Sequence, residues 1–269
     1  MSSDNEEVAT GIASEGGHWY ARDGSAVYQV PNKSKPGEMR DTTLRDAKRL
    51  GLVPSVTEIM KVEAKPALVA WQIEQAFLAC LTLPRVKGET LDELKQRATN
   101  DANAQAELAK AKGQVLHAEI ERYIVDGRVE NPDTLKYVVP VADWLDRNFG
   151  RLYWRPEKSF AHPLGFGGKV DLHCSEGEFV VLDFKTKDFG PEDAGKKMAW
   201  DNHAMQLHAY AHGLDIPSAR KLNLFVSTRV PGLLVWHEWH ADSDYQWTVF
   251  KHLLEVWKLR KKYNPEFTR

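Results

Sequence analysis

Hydrophobic and polar positions change their rhythm near the middle of the chain. Met1 to Gly17 is polar and reads as a flexible tail. His18 to Val30 alternates about an Asp23-Gly24 turn and predicts a hairpin, followed by a loop over Asn32 to Glu38. Ser55, with Glu58 three residues on, marks a helix start. Pro66 opens a helix to about Leu81, with Leu68, Trp71, Gln75 and Leu78 near helical spacing. Glu89 to Val125 is a long Ala-, Glu- and Lys-rich helical region with a break predicted near Gly113. Asp133 to Phe149 carries Val138, Val141, Trp144 and Leu145 at helical period.

From about Leu152 the period shortens to that of strands. Gly165 to Lys187 holds two apolar runs joined by Ser175-Glu176-Gly177. A helical stretch in one or two pieces is predicted over Pro191 to Leu214. Strands follow at Lys221 to Ser227 and Leu233 to Trp239, and a helix over Asp242 to Tyr263 closes the chain. Its basic end, Lys258 to Lys262, suits the negative end of a helix. The order is a helical first half, then β-β-β-α-β-β-α. That pattern predicts an α/β fold with a mixed central sheet flanked by helices, plus a helical N-terminal extension. One domain spans 18–269, mainly helical over 18–150, with the α/β core over 151–269.

Composition narrows the class without choosing within it. The 269 residues are 42% hydrophobic and 28% charged, with a net charge of -2. Any nucleic-acid path must therefore be a local groove of Lys and Arg rather than a basic surface. Arg40, Arg45, Lys48 and Arg49 offer one such patch, though a solvated helix face explains them as well. The two cysteines, Cys80 and Cys174, are too few for a disulfide framework, a zinc ribbon or a four-cysteine iron–sulfur cluster. A polar, acidic start and the lack of a long apolar run predict a cytoplasmic protein away from membranes.

The chemistry concentrates in the central stretch. On a strand Asp183 and Lys185 share a face, and antiparallel pairing through the short turn would bring Asp171 beside Asp183. Two carboxylates and an ammonium at one sheet end suit a hard divalent cation beside an activated water. D-x-K alone is frequent by chance and reads as ordinary surface charge. What sharpens it is Gly167-Gly168-Lys169-Val170-Asp171, with Asp171 twelve residues ahead of Asp183. On their helices His117 and Glu121 lie one turn apart, as do Gln206 and Tyr210, with Ala204, Leu207, Ala211 and Leu214 as the packing stripe. His208 and His212 are also one turn apart and, with His203, raise zinc as a competitor. No Cys or acidic residue joins them at a familiar spacing.

In the order His117, Asp171, Asp183, Lys185, Gln206, Tyr210 the chain resembles the PD-(D/E)xK nuclease superfamily, in its RecB-type exonuclease branch. Val170-Asp171 stands at the "PD" position, with Val for Pro, Asp183-Phe184-Lys185 at "DxK", and Gln206 to Tyr210 at Q-x-x-x-Y. The resemblance covers about Gly113 to Gly213. Ser55 to Trp71 is also similar to the N-terminal segment of phage and mitochondrial genome-maintenance exonucleases of that branch.

The resemblance implies a restriction-endonuclease-like core and Mg²⁺- or Mn²⁺-dependent hydrolysis of DNA, most simply as an exonuclease on single-stranded or duplex ends. It implies metal ligation by His117, Asp171, Asp183 and the carbonyl of Phe184; Glu121 would orient His117 or simply form a helix-surface pair. Lys185 would act on the water, and Glu157 would complete the metal shell, position Lys185 or form a structural ion pair. Gln206 and Tyr210 would touch the DNA backbone and Lys185, and Lys187, Lys196 and Lys197 are further candidates for phosphate contacts. A flap or branch endonuclease, or a non-catalytic DNA-binding protein on the same fold, are the alternatives. A homo-oligomeric ring around DNA, a monomer threading one strand and a protein partner in recombination or replication all fit the sequence.

Overall fold

The apolar runs of the second half pair into one sheet because each alternates side chains between two faces that helices then cover. The computed structural model describes residues 18–63, 66–193 and 195–268, so the polar segment 1–17 lies outside the described residues. Five strands lie in chain order across the sheet: β5 (Arg155–His162), β6 (Phe166–Cys174), β7 (Val180–Lys187), β8 (Arg220–Ser227) and β9 (Leu234–Trp239). Neighbours are antiparallel except β7 and β8, which run parallel and are joined by helix α6 (Asp201–Gly213). The mixed sheet flanked by helices agrees with the nuclease-like core that the resemblance implies.

Before the sheet come β1 (Trp19–Tyr20), β2 (Gln29–Pro31), β3 (Met39–Asp41), α1 (Leu44–Leu50), β4 (Val53–Pro54) and α2 (Val56–Met60). Helices α3 (Pro66–Thr82), α4 (Leu91–Asp126) and α5 (Leu135–Phe149) follow, and α7 (Tyr245–Lys261) closes the chain. Ser55 caps α2 by accepting from the Glu58 N–H, as its spacing predicts.

Among the described residues the two largest cores lie one on each face of the sheet. Ile120 of α4 and Val138, Val141, Trp144 and Leu145 of α5 pack on Leu172, Leu182, Leu222 and Leu224. Met205 and Leu207 of α6, with Phe250, Leu254 and Trp257 of α7, pack with Phe166, Val170 and Val181. The later part of α4 and all of α5 are thus a layer of the α/β core. The expected helical extension is integral to the sheet's burial, because Leu172, Leu182 and Leu222 need a cover on that face.

One local expectation is extended and two are corrected. The hairpin about Asp23-Gly24 forms, with Ala21 N–H donating to the Ser25 carbonyl, Val27 N–H to the Trp19 carbonyl and an antiparallel Tyr20–Ala26 bridge, and its arms pair further as β1 with β4 and β2 with β3. Helix α4 runs unbroken through Gly113. A Cβ there would sit 2.5 Å from Thr186 Oγ1, so Gly113 serves close approach to β7 rather than a break. Between Pro191 and Asp201 only a short 3-10 turn, Pro191–Asp193, precedes α6 among the described residues.

Candidate active site

One defect in the sheet makes the site. β5 pairs with β6, and β7 with β8, along nearly their whole lengths, whereas β6 and β7 pair only at Leu172–Leu182, His173–Val181 and Cys174–Val180. Beyond those pairs the strands part. At the fork Asp171 Oδ2 accepts the backbone N–H of Phe184 at 2.9 Å, so a side chain replaces the missing ladder partner. A continuous sheet would keep α4 and α6 apart on opposite faces. The fork lets groups from both reach the same place.

From α4, His117 Nδ1 lies 3.7 Å from Asp171 Oδ2, and its ring meets Phe184 edge-on with centroids 6.1 Å apart. From β7, Asp183 is 2% exposed and Lys185 Nζ donates to it, 2.9 Å from Oδ1 and 2.8 Å from Oδ2. From α6, Gln206 Oε1 accepts from the same ammonium at 3.1 Å, and Gln206 Nε2 donates to the Tyr210 hydroxyl at 2.8 Å. Lysine only donates, so the amide must turn its oxygen to Lys185 and its nitrogen to Tyr210. The Gln206 and Tyr210 spacing on α6 becomes a brace that holds Lys185 against Asp183. Gly168 makes room for it, since a Cβ there would lie 2.9 Å from Tyr210 Cε1 and 2.9 Å from the Phe160 ring.

Burial raises the Asp183 carboxyl above its ordinary range; the Lys185 charge opposes that rise, and the Asp171 charge adds to it. Burial, followed by the Asp183 and Asp171 charges, pushes the Tyr210 phenol far up, so it stays protonated. His203 is pushed down to about 4, first by burial and then by Lys185, and is neutral at pH 7. Beside His117 opens a cavity of about 770 Å³, walled partly by Tyr20, Tyr28, Glu121, Glu157 and Lys169. Burial raises the Glu121 carboxyl on that wall, with Lys169 opposing and Asp171 adding.

The donors are of the right kind for a hard divalent cation: two carboxylates at one fork and a ring nitrogen beside one of them. Among the described residues no three His, Cys, Asp or Glu side chains are already gathered as a cation cage. Asp183 instead faces Lys185 and Asn223, and the positive charge next to it is the ammonium.

Several predicted roles are redistributed. Glu157 pairs with Lys169, whereas Lys185 is held by Asp183 and Gln206, which favours the ion-pair reading of Glu157. Lys187 is turned inward, donating to the Met198 carbonyl at 3.0 Å and lying over the Phe225 ring, and burial lowers its pKa. Lys196 is paired with Asp193, and Lys197 lies over the half-exposed Trp200 ring. Arg40 is spent on a two-pronged bond to Asp46, at 2.7 and 2.9 Å. The three histidines of the zinc reading have separate surroundings. His203 meets Phe225, His208 bonds Ser243, and His212 stacks on Trp247.

Sequence reasoning missed Asn223, Trp239 and the tyrosine pair. Asn223 donates to Asp183, and the hydroxyls of Tyr20 and Tyr28 are 2.9 Å apart on the cavity wall. A signal for Asn223 existed: a lone amide in the apolar run Leu222–Val226 must find buried partners. For Tyr20 and Tyr28 the signal was the hairpin predicted over His18 to Val30, which folds the two onto each other across the Asp23-Gly24 turn.

No protein-family model matches the chain, and no curated protein matches it. Among solved structures it is similar to SSO0001 at TM-score 0.35 and 14% identity, covering 74% of this chain and 89% of that one. It is also similar to an alkaline exonuclease from Laribacter hongkongensis, at TM-score 0.29 and 15% identity, covering 55% of this chain and 84% of that one. At such scores neither likeness carries weight for function.

Proposed function

We propose that this chain is a metal-dependent deoxyribonuclease that hydrolyses phosphodiester bonds from DNA ends. One observation carries the reading: Asp171, Asp183 and Lys185 meet at the fork of β6 and β7, with Lys185 braced by Gln206 and Tyr210. A structural ion pair needs no such brace. A lysine held at a fixed point beside two carboxylates suits a reaction in which a water must be aimed at a phosphate.

His117, Asp171, Asp183 and the Phe184 carbonyl would hold Mg²⁺ or Mn²⁺. When bound, such an ion polarises a phosphate oxygen and makes a neighbouring water more acidic. The protein's own share is positional and electrostatic. Lys185 holds the attacking water by hydrogen bond and stabilises charge that develops on the phosphoryl oxygens. Gln206 limits the ammonium to one position, and the protonated Tyr210 hydroxyl completes that brace. At the fork the His117 and Asp171 side chains keep partial exposure, 32% and 21%, while that of Asp183 is buried.

Purified protein should cleave end-labelled linear DNA with Mg²⁺ or Mn²⁺ and stop in EDTA. Covalently closed circles should survive the same treatment. Cleavage that persists in chelator removes the metal from the reading, and cut circles turn the exonuclease into an endonuclease. DNA binding without any cleavage leaves a binding protein on a nuclease-like fold.

A further inference from the structure

Asp183 has a second polar neighbour that the resemblance does not supply. Asn223 lies opposite it on β8, is 0% exposed, and donates from Nδ2 to Asp183 Oδ2 at 2.8 Å. On β9, Trp239 Nε1 donates to Asn223 Oδ1 at 2.8 Å. An indole nitrogen can only donate, so it takes the amide oxygen and leaves the NH₂ group for the carboxylate. The amide orientation follows from chemistry rather than from a choice between two similar atoms.

We propose that Asn223 and Trp239 are positioning residues that set the plane of the Asp183 carboxylate; the inference rests on the nuclease reading of the fork. The last torsion of an aspartate is broad, and Lys185 lies within 2.9 Å of both carboxylate oxygens, so the ammonium alone does not choose a plane. An NH₂ donor on Oδ2 does choose one. Asn223's neighbours Leu222, Leu224, Phe225 and Val226 are all buried and apolar. A leucine would suit packing there, and the amide adds only its two hydrogen bonds. Trp239 reaches across from the edge strand to hold that amide in register.

The test uses Asn223→Leu, Trp239→Phe, the double variant and Asp183→Asn in the full chain. For Asn223→Leu, single-turnover cleavage with Mn²⁺ should fall roughly 10- to 100-fold, as is typical when the residue orienting a ligand is removed. The DNA concentration for half-saturation should stay within about twofold, because Asn223 would act on the chemical step and not on binding. Trp239→Phe keeps a ring in place and should show a smaller loss of the same kind. It carries the test if Asn223→Leu fails to fold. The double variant should be no slower than Asn223→Leu, since the indole acts only through the amide.

Full activity in the folded variants would make the pair purely structural and overturn the proposal, as would independent, multiplying losses. A readout free of catalysis is the NMR signal of the Trp239 indole N–H, which should shift in Asp183→Asn. An unmoved signal overturns the relay. A shifted signal in a protein that cleaves nothing with either metal retires the nuclease reading and leaves the relay as a property of the fold.

Discussion

Lys185 is held on two sides by groups that only an ammonium of its size satisfies together. Asp183 takes it from the same strand and Gln206 from α6. A guanidinium is broad and planar, so Lys185→Arg cannot occupy that point without displacing Gln206 from Tyr210. Both Lys185→Arg and Lys185→Ala should therefore bind DNA nearly normally and lose roughly 10²-fold or more in single-turnover rate. That corresponds to about 3 kcal/mol of transition-state stabilisation. An active Arg variant would reduce Lys185 to an electrostatic contact. Asp183→Asn tests the other partner. It keeps the shape at a 2% exposed position, so the protein should fold and still bind DNA in an electrophoretic assay, while cleavage falls by several orders of magnitude. Retained cleavage would place the chemistry elsewhere in the chain.

Helix α4 brings His117 to the fork only because Gly113, one turn earlier, lets the helix lie against β7. The 2.5 Å approach to Thr186 Oγ1 leaves no space for a methyl group. Thr186 is stiff about χ1, so a Gly113→Ala change must rotate it or lift the helix. Thermal or chemical denaturation should show a loss of about 1–3 kcal/mol, the usual cost of overpacking. Cleavage should fall as well, because His117 moves with the helix. Adding Thr186→Ala removes the clashing oxygen and should restore stability and activity together. Failure of that rescue would mean that Gly113 matters for another reason.

Across the whole molecule, charge is nearly balanced, and several candidate phosphate contacts are already occupied. Lys187 faces the Met198 carbonyl, Lys196 faces Asp193 and Arg40 faces Asp46. With a net charge of -2, DNA should be held by few phosphate contacts close to the fork. Each neutralised phosphate contributes about -0.7 to -0.9 to the slope of log affinity against log salt. Fluorescence anisotropy between low and physiological salt should thus give a shallow slope, equivalent to about three contacts or fewer. A slope near -6 would reveal an extended basic path and overturn the local-groove picture. Among the described residues no helix is long and apolar enough to cross a membrane.

Much of the architecture was legible from the chain. Strand and helix order from Leu152 onward follows from apolar period and turn residues. Antiparallel pairing of β6 with β7 follows from the turn Ser175-Glu176-Gly177, and it carries Asp171 and Asp183 to the end of the ladder. Side-chain alternation alone put Lys185 beside Asp183, and helical spacing alone put Gln206 on the same face as Tyr210. Such features are local, set by residues within a few positions of one another. Tertiary structure decided what depends on distant partners. Gly113 reads as a breaker until β7 is laid against it, and Glu157 reads equally as ligand, positioner of Lys185 or ion-pair partner until Lys169 on the next strand takes it. Lysines at 187 and 196 look like phosphate contacts until their acceptors are seen. Asn223 and Trp239 reach Asp183 only because β8 and β9 pair in a register that no short window of sequence specifies. A hydrogen bond between strands forty residues apart depends on which strands become neighbours, and that is settled by how both faces of the sheet are buried.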